Sequence, residues 1–173
     1  MKFYNINLLM IPLIWISCST PDKQKESVES PTKIMVEEVN ITDLMVGKWD
    51  SKILKVNKPT VGGSDQTEII DVNPDNYEAI VGLKTATIYF FKDSTYREEY
   101  ILPDNQIAFT QEGIWRIDGD SLITLITSPS VNEFKYHLRI EGDTAFFTAR
   151  MDYDGDGEKD DDFYGVSVRD LNY

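Results

Sequence analysis

The 173-residue chain has one cysteine, Cys18, and one histidine, His137. A single thiol excludes an internal disulfide, and the two residues together are too few for a zinc site, which draws on several His or Cys ligands. Basic residues are also scarce. Seventeen Lys and Arg stand against thirty Asp and Glu, and the formal net charge of −13 makes a surface that repels nucleic acid and anionic headgroups. The N-terminal apolar run from Leu8 to Ile16 is too short to cross a bilayer as a permanent helix. No Gly-x-Ser-x-Gly motif, Cys-His pair or phosphate-cradling glycine loop is present, and Gly62, Gly63 and Ser64 read as a flexible bend. Glu98 and Glu99 are adjacent on a strand and point to opposite faces, so they cannot work as a paired acid and base. An enzyme is therefore not expected.

Lys2 precedes the apolar run, and Ser17 and Cys18 follow it before the chain turns polar at Ser19, Thr20, Pro21 and Asp22. This arrangement resembles the signal peptide and lipobox of bacterial lipoproteins, with Trp15 and Ile16 in place of the usual leucine and small residue. The resemblance implies a signal peptide over 1–17, lipidation (palmitate among the acyl chains) at Cys18 and a cell-envelope location, lipid-anchored at the outer membrane. An ordinary secretory signal with an incidental cysteine is the alternative. Residues 18–40 contain almost nothing that could be buried and read as a solvated tether. The remaining 41–173 form one domain, opening near Ile41, where Thr42 or Asp43 can cap a short helical turn before Gly47.

From Gly47 onward the pattern is that of strands. Lys135, His137 and Arg139 alternate with Phe134, Tyr136, Leu138 and Ile140, a period of two that puts the bases outward. Ile107, Phe109, Gly113, Trp115 and Ile117 repeat it. The segments RIDGDSL (116–122) and RIEGDTA (139–145) each place a Gly-Asp pair between two strands, where glycine supplies the positive φ of a tight hairpin. Lys92 to Ser94 and Pro103 to Asn105 mark further reversals. Strands are expected near 46–56, 66–71, 80–91, 95–102, 106–117, 121–127, 133–141, 144–151 and 163–169. Eight or nine strands joined by short turns make an antiparallel meander, and closing it into an up-and-down barrel removes both exposed edges. A two-sheet sandwich is the alternative, but it usually needs longer crossovers.

Gly47, Lys48 and Trp49 head the first strand and resemble the Gly-x-Trp signature of lipocalins and of lipocalin-like bacterial lipoprotein domains. The resemblance extends over about 44–169. It implies that Gly47 bends the chain into the barrel, that Trp49 plugs its closed end, and that Arg169, or Arg150, lies over the indole as a cation–π partner. An eight-stranded barrel is wide enough to be filled by side chains or to hold one small ligand. Trp49, Tyr89, Phe91, Phe109, Trp115, Phe134, Tyr136 and Phe147 are the inward candidates, and Tyr89, Phe91, Phe109, Trp115 and Tyr136 the expected ligand contacts. Both a packed interior and a cavity are compatible with so many aromatics.

Asp152, Asp154, Asp156, Gly157 and Asp160 follow the pattern Asp-x-Asp-x-Asp-Gly-x-x-Asp, with carboxylates at loop positions 1, 3, 5 and 9 and the carbonyl of Glu158 at position 7. Ca²⁺ takes six to eight oxygens in such loops, and carboxylates this dense repel one another without a cation. The loop resembles those of EF-hand and dockerin repeats, although Phe163 stands where the final bidentate Glu would be and Asp161 or Asp162 would have to substitute. A structural Ca²⁺ held by Asp152, Asp154, Asp156, Glu158 and Asp160 is expected; a solvated acidic turn is the alternative. The function expected is binding of a small apolar or amphipathic ligand in the barrel, with a membrane as partner through the lipid anchor and no nucleic acid. The rival is a non-enzymatic module with a filled barrel that meets a protein or glycan.

Overall fold

The computed structural model describes residues 40–173. The expected signal peptide, Cys18 and the tether up to residue 39 lie outside the described residues. The elements run α1 (Ile41–Met45), β1 (Gly47–Lys58), β2 (Glu68–Val72), α2 (Tyr77–Val81), β3 (Thr85–Phe90), β4 (Thr95–Ile101), β5 (Ile107–Asp118), β6 (Ser121–Ser128), β7 (Asn132–Glu141), β8 (Thr144–Met151) and β9 (Asp161–Arg169).

From β3 to β9 each strand pairs antiparallel with the next, and β9 returns to β1, so eight strands close an up-and-down barrel. The ninth, β2, is an addition outside that circuit. It pairs with the later half of β1, Leu54 to Lys58, while the first residues of β1, Gly47 to Asp50, pair with β3. The Gly-Asp pairs make the two-residue hairpins β5–β6 and β7–β8, with Gly119 and Gly142 at φ +62° and +57°. Closure leaves no unpaired edge within the barrel itself, which is why a polar-outside, apolar-inside meander settles here rather than in an open sheet.

Two ends follow from this topology. At one end lie α1, the β3–β4 turn, the two Gly-Asp hairpins and the C-terminal residues. Trp49 is fully buried there, its indole Nε1 donating to the Met45 carbonyl at 2.8 Å, and Met45 is equally buried. The Arg169 guanidinium lies 4.5 Å from the centre of the Trp49 ring and donates to the Val46 carbonyl at 2.8 Å. Gly47 has a φ of +136°, and a Cβ there would come within 3.2 Å of the same guanidinium. At the other end the loops 59–67, 73–84, 102–106, 129–131 and 152–160 surround the mouth.

One expected strand is shorter than anticipated. The segment 80–91 begins as helix: Tyr77–Val81 forms α2, ended by Gly82 in the left-handed region at φ +71°, and β3 starts only at Thr85. Asn73 and Asn76 organise the turn before it, the Asn76 side chain accepting from Asn73 N–H and donating to the Asp71 carbonyl. A glycine at the end of a helical turn is a stop signal that a short apolar run otherwise conceals.

Candidate functional site

The barrel encloses a cavity of about 400 Å³ that reaches the mouth. That volume lies within the range of small-molecule pockets. Its walls come from alternate residues of the strands: Ile88 and Phe90 on β3, Tyr96, Glu98 and Tyr100 on β4, Thr124 on β6, Phe134 and Tyr136 on β7, Phe147 on β8. Trp115 belongs to the buried cluster that seals the closed end, with Met45, Trp49, Phe90 and Leu122.

Glu98 is the chemically distinctive residue of this interior. The period of two that turns Tyr96 and Tyr100 inward turns Glu98 inward with them, opposite Gln111 of β5. Its side chain lines the cavity and is half-buried there. Burial pushes its carboxyl up to about 7, while a hydrogen bond from the Tyr100 hydroxyl works the other way. Burial likewise raises the phenols of Tyr96, Tyr100 and Tyr136, with the Glu98 charge adding to each, so these hydroxyls stay protonated as hydrogen-bond donors. The cavity is thus apolar over much of its wall, with the Glu98 carboxyl set among phenolic donors and Asp152 at the rim.

The expected ligand contacts divide. Tyr136 lines the cavity. Tyr89 and Phe91 do not, because β3 points Ile88 and Phe90 inward and leaves its odd-numbered residues outside. There the Tyr89 hydroxyl donates to Glu99 at 3.2 Å, the Arg97 guanidinium covers its ring at 5.1 Å, and Tyr173 packs edge-on against it. Glu99, paired with Arg97 at 2.8 Å, belongs to this outer cluster. Phe109 stacks on Tyr100 at 4.0 Å but is exposed and off the cavity wall. Trp115 is buried below the cavity, its Nε1 donating to the Phe91 carbonyl at 3.0 Å. Glu98 itself carried a usable signal: in TYREEYI the two tyrosines four apart share a face with the residue midway between them.

The acidic loop between β8 and β9 stands at the mouth, where Asp152 and Tyr153 join the cavity wall. Its carboxylates fall into two groups. Asp156 accepts from Gly63 N–H at 3.0 Å and Thr60 Oγ1 at 3.3 Å, and Asp160 from Thr60 Oγ1 at 3.2 Å, so both hold the 59–64 turn. Hydrogen bonds from the Glu158 and Gly63 amides, the former first, lower the Asp156 carboxyl. The other group is Asp152, Asp154 and Asp161, whose carboxylate oxygens lie within 4.8 Å of one another. Asp161 replaces Asp156, Glu158 and Asp160 of the expected set in this cluster, because β9 begins two residues earlier than expected and turns Asp161 inward. His137 is exposed on the outer face of β7, near Asp120 at 3.2 Å.

No protein-family model and no curated protein matches the sequence. Among solved structures the chain is similar to a lipocalin-like protein from Bacteroides uniformis, at 12% identity over 72% of this chain and 97% of that one, with a TM-score of 0.41.

Proposed function

We propose that this protein binds a small amphipathic molecule inside the barrel, with an apolar body against the aromatic wall and an amine or other hydrogen-bond donor at Glu98. The observation that carries this is the cavity of about 400 Å³ whose interior sets the Glu98 carboxyl among phenols. An interior packed solid by its own side chains was the mark of the rival, a filled module acting through its outer face, and the cavity favours the ligand. A buried carboxyl that titrates near neutrality gains most from a partner that brings a positive charge or a proton to share, since either relieves the cost of ionising it in a poorly solvated site. The role is one of binding and not of catalysis. We further propose that the chain is a lipoprotein of the bacterial cell envelope, anchored through Cys18; the exposed bases Lys135, His137 and Arg139 on the outer face of β7 suit a barrel surrounded by water rather than lipid.

The test is a titration with a matched pair of probes, phenethylamine and the corresponding alcohol, followed by calorimetry at pH 6 and pH 8. Above pH 7 the amine should bind at least tenfold more tightly than the alcohol, and Glu98→Gln should remove that preference. Equal binding of both probes at both pH values would set aside Glu98 as the polar contact, and no binding of either, together with a ligand-free mass for protein purified from its own host, would set aside the cavity as a binding site.

A further inference from the structure

We propose that the loop between β8 and β9 binds Ca²⁺ at the mouth of the barrel through the carboxylates of Asp152, Asp154 and Asp161. Two independent observations meet there. The first is the cluster itself, three carboxylates with oxygens within 4.8 Å of one another, a span that two ligands on opposite sides of one Ca²⁺ can cover at 2.3–2.6 Å each. The second is Asp161. Its side chain is only 1% exposed, and although Oδ2 accepts the Tyr153 amide at 2.5 Å, Oδ1 is buried with no hydrogen-bond partner. A buried carboxylate oxygen without a partner costs stability unless something occupies its lone pairs.

The neighbouring cation does not fill that role. Lys58, buried beside the loop, is ion-paired with Glu68 and makes no hydrogen bond to Asp161. Asp156 and Asp160 are engaged with Thr60 and Gly63, and Asp154 accepts from Gly62 N–H at 3.1 Å on one oxygen and from Asp156 N–H at 3.3 Å on the other, which leaves one lone pair on each. Asp152 accepts the amides of Gly155 and Gly157, which uses one lone pair of each oxygen and leaves others for a metal. The donors are all oxygen, with no His or Cys among them, which selects a hard cation over zinc or copper. Mg²⁺ demands a tighter octahedral shell and keeps its waters, whereas Ca²⁺ accepts an irregular set completed by water and loop carbonyls.

The experiment measures the melting temperature of the metal-stripped protein with CaCl₂ or MgCl₂ at 1 mM, together with Tb³⁺ luminescence excited through tyrosine, for which Tyr153 lies in the loop. Ca²⁺ should raise Tm by about 3–6 °C, Mg²⁺ by less than half as much, and Ca²⁺ should displace Tb³⁺. Asp161→Asn should abolish the Ca²⁺ shift. Because that substitution is buried, Asp152→Asn at a half-buried position serves as the second variant and should weaken Ca²⁺ at least tenfold with an unchanged near-ultraviolet spectrum. Asp160→Asn should keep the affinity within about threefold. Equal shifts with both cations, an undiminished Ca²⁺ shift in Asp152→Asn, or one lost in Asp160→Asn but kept in Asp161→Asn would overturn the site.

Discussion

Glu98→Gln keeps the shape of the side chain and its hydrogen-bonding capacity while removing its ionisation. The ordinary value of the carboxyl is 4.5, and burial in the barrel moves it to about 7. At 1.36 kcal/mol per pH unit, that interval amounts to about 3 kcal/mol. The sign follows from proton counts. Between the two values the folded state holds a proton that the unfolded chain has released, so the stability of the wild type falls as pH rises through this window and levels off above 7. Below pH 4.5 the carboxyl is neutral in both states and the penalty vanishes. Urea unfolding of both proteins at pH 4, 5.5, 7 and 8.5 isolates the effect, because every other titrating group is common to the pair. The variant should gain about 3 kcal/mol on the wild type between pH 4 and pH 8.5, nearly all of it between 4.5 and 7.5. A difference that does not change with pH, or a wild type that gains on the variant as pH rises, would show that Glu98 is well solvated and that burial in the barrel does not hold its proton.

Trp49→Ala should cost about 3–5 kcal/mol in chemical denaturation, as deletions of large buried aromatics do; a loss under about 1 kcal/mol would contradict its complete burial beneath Arg169. Gly113→Ala should destabilise by about 1–3 kcal/mol or more, since the new Cβ would lie 2.1 Å from the Leu125 carbonyl oxygen and 2.7 Å from the Tyr96 ring; a neutral result would mean that β5 and β6 are farther apart than the bulge at Glu112/Gly113 sets them. Cys18→Ala should move the protein from the membrane to the soluble fraction of fractionated cells, because each buried CH₂ of an acyl chain contributes about 0.8 kcal/mol. Retention of the variant in the membrane fraction would exclude the anchor.

The barrel was legible because strands such as β7 alternate apolar and basic residues and the turns between β4 and β9 carry glycine, proline or aspartate where reversals occur. The facing of β3 was not. Tyr89, Phe90 and Phe91 are three aromatics in a row, so alternation gives no phase, and only the pairing of Phe90 with Tyr96 across the 92–94 turn decides which ring faces inward. α2 was hidden for a related reason: Ala79, Ile80 and Val81 are as suitable for a strand as for a single helical turn, and the stop at Gly82 is the local cue. In the acidic loop, counting along a helix-flanked template left Asp161 and Asp162 as equal substitutes for the last ligand, because the template does not show that the element that follows is a strand whose inward face starts at Asp161. Local spacing identified the loop; which carboxylates converge depends on the 59–64 turn lying against it, and that contact is set by the tertiary fold.

The seam between β1 and β9 sets how this chain reaches its native state. Every other pairing within the barrel from β3 onward joins sequence neighbours, so those hairpins can form one after another at small entropic expense. The closing contacts are different: Lys48 and Asp170, which meet at 2.8 Å, are 122 positions apart. Bringing such distant segments together costs about 4 kcal/mol in loop-closure entropy before any seam contact repays it. Rate limitation should therefore sit at ring closure, with a nearly complete meander waiting on the docking of its first strand. Substitutions at the Trp49–Arg169 clasp should in that case accelerate opening more than they retard assembly, since the clasp forms after the barrier is crossed.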